Sequence, residues 1–156
     1  MEAELFLIRY LHVLSGIMWI GILWYFNFVQ IPSMPKIPDE QKPAIGKVIA
    51  PEALFWFRWG AFFTVFFGLA LAWRSGYMMD ALMLKEPNIG IGMWLGLIMA
   101  FNVWFIIWPA QKIALGIVEA DASEKPANAR KAMLFSRTNT MLSIPMLASM
   151  ISVQNP

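Results

Sequence analysis

One histidine occurs among the 156 residues, His12, and it lies inside the strongly apolar run RYLHVLSGIMWIGILWYFNFVQ, residues 9–30. Arg9, His12, Gly16 and Trp19 are spaced by three or four and so share one helical face, while Asn27 stands near the far end of the run. An imidazole in such a setting can hydrogen-bond to a neighbouring helix, meet a quinone, or offer a nitrogen to haem iron. A b-type haem on His12 needs its second axial position filled by His12 of another copy, by a methionine such as Met18 or Met150, by another subunit, or left open. Further along, the apolar stretches FWFRWGAFFT, FNVWFIIWPAQK and SRTNTMLSIPML each hold an isolated polar group: Arg58, Asn102, and Arg137 with Asn139. Guanidinium forks and side-chain amides together suit a small organic anion.

The elements that must position these groups follow from composition. The chain is 59% hydrophobic and only 14% charged, with eight tryptophans and twelve phenylalanines, so its solvent is expected to be lipid. A span needs about 20 mostly apolar residues. Four stretches qualify: Leu5 to Gln30, Ala53 to Trp73, Ile89 to Gln111 and Lys131 to Ser152, none containing Asp or Glu. The expected fold is therefore all-α, an integral membrane protein with four transmembrane helices in one bundle, forming a single domain over residues 1–156. Pro145 should kink the fourth span. Five prolines between residues 31 and 52 predict an extended surface loop. Gly60, Thr64, Gly68 and Ala72 in the second span, and Gly92, Gly96 and Ala100 in the third, form small-residue stripes along which helices can approach closely.

Basic residues set the orientation. Lys36, Lys42 and Lys47 lie between the first two spans and Lys112, Lys125, Arg130 and Lys131 between the last two, against Arg9, Arg74 and Lys85 on the opposite side. Basic loops stay inside, so both termini are expected to face the periplasm, with the protein multi-pass in a bacterial inner membrane. At about 1.5 Å per residue, His12 lies about 10 Å inside the outer end of its span. Counted from the inner ends, Arg58 is about 7 Å deep, Arg137 about 9 Å, and Asn102 and Asn139 about 12–14 Å. Two polar levels result: His12 alone in the outer half, and Arg58, Arg137, Asn27, Asn102 and Asn139 in the inner half.

The absence of cysteine excludes disulfides, thiolate metal sites, iron-sulfur clusters and covalent haem attachment, and one histidine excludes a His-rich metal cage, so no metal ligand set is expected. A net charge of +2 gives no footprint for nucleic acid. Cation export depends on a membrane-buried carboxylate, which no span supplies.

The stretches LHVLSGIMWIGILWYFNFVQIPSMPK, FWFRWGAFFT, FNVWFIIWPAQK and SRTNTMLSIPML resemble the membrane-embedded N-terminal domain of the bacterial membrane-bound urate oxidases, also called urate hydroxylases. The resemblance implies a redox or electron-transfer module binding haem or quinone and a small organic anion, and it draws attention to the same residues: His12, Asn27, Arg58, Asn102, Arg137 and Asn139. Family members that oxidise urate pass electrons to a fused cytochrome c. The sequence here has no C-x-x-C-H, so a separate cytochrome c is the implied partner. The other reading is a non-catalytic accessory subunit, a homo-oligomer or part of a larger membrane respiratory or oxygenase complex.

Overall fold

The computed structural model describes residues 2–153. Helix α1 (Glu2–Trp24) opens with Glu2 and Glu4, whose charges suit the positive end of the helix dipole. It does not stop at Trp24. The ladder widens into π geometry over Tyr25–Gln30 and continues through short turns to Lys36. Helical structure resumes at Lys42–Ala44, widens again over Ile45–Ile49, and becomes α2 (Ala50–Arg74).

Residues 31–52 are thus mostly helical, which corrects the extended loop expected there. The prolines explain the difference. Pro43 falls in the first turn after the break, where the missing N–H has no partner to lose. Pro32 and Pro51 follow directly on the π-widened turns of continuous helical runs, where the hydrogen-bond ladder has already shifted to make room for the ring. Only residues 37–41 break the path, and Lys42 clasps Asp39 at 2.6 Å across that break. This contact holds the Asp39 carboxyl below its ordinary range, so the clasp is complete at neutral pH and is lost only as pH falls through the lowered value.

Beyond α2 come α3 (Met78–Leu82), α4 (Pro87–Phe101), a π segment over Asn102–Ile107, α5 (Trp108–Ala114) and α6 (Glu124–Ser152). Gly76 and Gly116 take positive φ values of 80° and 71° just past α2 and α5, the left-handed positions at which a helix end returns its last carbonyls to backbone donors. The turn at Gly116 ends the third helical run at Ala114, short of the continuation to residue 122 that the sequence allowed. Pro145 lies within α6 without ending it.

Three helical runs are long and apolar enough to cross a membrane: Glu2–Lys36, Lys42–Arg74 and Pro87–Ala114. The helix α6 has the length, but Glu124 to Lys131 and the Arg137-Asn139 stretch keep it out of that set.

Helix α1 runs antiparallel to α2, and α6 packs on α4 and α5. The glycine stripe of α2 explains the first pairing. A methyl group at Gly60 would sit 3.2–3.3 Å from the backbone and Cβ of Trp19, one at Gly68 would meet the His12 ring at 2.8 Å, and Gly16 faces Thr64. Between the two pairs lies a core of Trp19, Leu23, Phe26, Phe57, Met99 and Val103, joined by Met146 of α6. At the N-terminal end of α1 and the C-terminal end of α2, Arg74 binds Glu4 through two parallel hydrogen bonds of 2.9 and 2.7 Å.

Candidate functional site

The chain's histidine is anchored by α2. His12 Nδ1 lies 2.8 Å from the carbonyl oxygen of Thr64. A carbonyl can only accept, so Nδ1 carries the proton and donates it. Neutral imidazole has one N–H, which leaves Nε2 with a free lone pair. Histidines that ligate metals are commonly oriented this way, the far nitrogen pinned to a backbone carbonyl. Gly68 supplies the room: any side chain there would push into the ring. Thr64 is itself held, its hydroxyl donating to Gly60 O at 2.6 Å. Thus the face Gly60, Thr64, Gly68 seats both Trp19 and His12.

The surroundings of Nε2 decide how far a haem would fit. The donor chemistry suits axial ligation, and two grooves of the fold lie between α2 and α4. One, about 240 Å³, is lined by Phe62, Val65, Leu97 and Trp104, and the other, about 770 Å³, by Phe66, Leu69, Trp73 and Trp94. Met150 lies against Gly92 and packs with both cores, while Met18 is 38% exposed on α1. One chain therefore provides a single histidine as axial donor. Among the described residues no group of three or more His, Asp or Glu could hold a metal ion.

The inner polar level is a connected layer across three of the long helices. Asn102 donates to Asn139 Oδ1 at 2.8 Å, and Asn139 donates to the Met99 carbonyl at 2.9 Å. Asn139 is wholly buried. Asn27 donates to Ser136 Oγ at 2.7 Å and to Leu23 O at 2.9 Å, and the Trp24 indole N–H reaches Ser143 Oγ at 2.9 Å. Two of the π segments coincide with this layer, one containing Asn27 and the other opening on Asn102. Such widened turns are frequent at functional positions in helices.

The two arginines part company. Arg58 is half-buried, and its guanidinium lies 3.4 Å from the centre of the Trp108 ring. Arg137 is exposed on the far side of α6, so the structure does not bring it into the amide layer. Depth along the helix was legible in the sequence, but rotation about the α6 axis was not. Buried polar atoms without a partner among the described residues are Arg58 Nη1, Asn27 Oδ1, Gln30 Oε1 and the indole nitrogens of Trp19 and Trp104. Each costs about 1–3 kcal/mol if left unmet, so each marks a place where a ligand or water has something to gain. Ser136, Ser143, Gln30 and Trp108 were not singled out from sequence. The serines are ordinary helix residues by pattern, and the only available signal was their spacing of three and four from Asn139.

Helices of membrane length, one carbonyl-pinned imidazole and a buried amide layer define a helical bundle with polar groups placed inside an apolar frame. Residues 75–156, just over half of the chain, match the family model of the urate oxidase N-terminal domain, and the chain belongs to that family. The match includes Asn102, Arg137 and Asn139 and begins after α2, leaving His12, Asn27 and Arg58 outside it. No curated protein and no solved structure matches the chain.

Proposed function

We propose that this chain is the membrane-embedded module of a urate oxidase-type electron-transfer system. It crosses the bacterial inner membrane four times, with α6 as the fourth span and both termini outward. A bundle makes this tolerable for α6, because Ser136, Asn139, Thr140 and Ser143 are turned inward and buried, so they meet protein in place of lipid. In this reading His12 presents Nε2 to a redox group at the outer level, haem b or a quinone, and the inner level receives a small organic anion through Arg58. A separate cytochrome c takes the electrons. Bound haem would supply one-electron chemistry; the protein's part is to hold the imidazole tautomer through Thr64 and keep Gly68 clear.

The observation that carries the reading is the His12 Nδ1 bond to Thr64 O, which leaves the ligating nitrogen free. The test is an absorption spectrum of natively purified protein in detergent. A Soret band is expected in wild type and should be lost in His12→Ala. Gly68→Ala should weaken or shift it, because the added methyl would sit 2.8 Å from His12 Cε1. A colourless wild type that carries no quinone on extraction would overturn the redox reading.

The accessory-subunit reading draws support from the single histidine, since a second imidazole ligand to haem must come from another chain. Native purification separates the two arrangements: co-purifying subunits favour a larger complex, and a homodimer favours His12 from two copies.

A further inference from the structure

We infer that Arg58 and Lys112, both set against the Trp108 indole, form a binding site for an oxyanion of phosphate or carboxylate type at the inner end of the bundle. The inference rests on the anion half of the proposed function and relocates it, from the amide layer to the Trp108 cations.

The amides are engaged within the protein. Asn102 is used on Asn139, Asn139 on the Met99 carbonyl, and the Asn27 amide nitrogen on Ser136 and Leu23. Arg137 is exposed on another face. That leaves the Arg58 guanidinium, stacked 3.4 Å from the Trp108 ring centre, with Lys112 Nζ at 5.7 Å from the same centre. Both distances are within cation–π range. The ring's electron density partly offsets two like charges but neutralises neither. Among the described residues the ion pairs involve Lys42, Arg74 and Lys85, and no carboxylate meets Arg58 or Lys112.

Arg58 Nη1, moreover, is enclosed without an acceptor. A guanidinium lying on a ring keeps its N–H edges in its own plane, where they match the two oxygens of a carboxylate or phosphate. Lys112 adds a second charge without geometric demand, as ammonium groups do. Such an anion could be the phosphate of a lipid headgroup or a free organic anion drawn from the inner side.

The test is isothermal titration calorimetry on the full chain in phosphate-free maltoside micelles. The probes are dihexanoyl phosphatidylglycerol, inorganic phosphate and urate. Saturable binding of at least one probe is expected, weakened about tenfold or more in Arg58→Gln, the loss of a charge-assisted hydrogen bond. In Lys112→Gln a smaller weakening of about threefold is expected, since that position lies outside the core and cannot threaten the fold. Response to the lipid alone assigns the headgroup as ligand, and response to urate or phosphate assigns a soluble anion. No binding by any probe, or equal binding by wild type and Lys112→Gln, would overturn the inference. The His12 spectrum is blind to this site, so the failure of either experiment leaves the other standing.

Discussion

Substituting valine for Gly60 should separate the first two helices and lower stability by about 3 kcal/mol, at the upper end of overpacking costs. The position is unforgiving because its neighbour is main chain. An added Cβ would lie 3.2 Å from the Trp19 backbone nitrogen and 3.3 Å from its Cα, atoms that cannot rotate away. Alanine is a revealing control. It gains about 1 kcal/mol of helix propensity over glycine, which roughly offsets the tight contact, so Gly60→Ala should lie near wild type. Valine adds two further methyl groups and a stiff χ1 while gaining less propensity. The cost should spread to the core, since Trp19 is 1% exposed and packs with Leu23, Phe26 and Phe57. Unfolding of the purified protein by SDS, followed by tryptophan fluorescence and circular dichroism, measures the effect. A valine variant as stable as the alanine one would mean that α1 and α2 do not meet at this glycine.

Asn139→Leu should cost about 2 kcal/mol, and the reason is the partner left behind. Asn139 is wholly buried and makes two contacts, accepting from Asn102 and donating to the Met99 carbonyl. Hydrogen bonds between membrane helices are individually modest, averaging about 0.6 kcal/mol and reaching about 1.7. Losing both bonds therefore accounts for only part of the loss. The remainder is Asn102 Nδ2, 7% exposed as a residue and left without an acceptor in an apolar surround. It follows that Asn102→Leu combined with Asn139→Leu should recover stability relative to the single change, because no orphaned amide remains. The same SDS titration, run as a double-mutant cycle, reads this coupling directly. Additive losses would sink the argument.

Both results concern features visible in different degrees before any fold is known. Membrane-length apolar runs, the lack of carboxylates within them and the lone histidine are properties of composition and one-dimensional order, and the three long apolar helices follow from them. The Gly60, Thr64, Gly68 stripe was equally legible, because a helix repeats its surface every three to four residues and small side chains on that repeat admit a neighbour. The prolines of residues 31–52 misled, since composition marks a proline as a breaker, whereas a helix whose ladder widens just ahead of the ring, as before Pro32 and Pro51, continues through it.

What the sequence by itself determined was position along each helix: His12 near one end of the first run, and Asn27, with Arg58, Asn102 and Asn139 of the other helices, at a separate level, because rise per residue is nearly constant along a helix. Only the tertiary structure decided partnership. It gave His12 the Thr64 carbonyl, locked Asn102 to Asn139, laid Arg58 on Trp108 and left Arg137 exposed. Position along a helix is a property of that helix alone, whereas a hydrogen bond or a stacked cation depends on how several helices are turned toward each other. That rotation is set by the whole interlocking core.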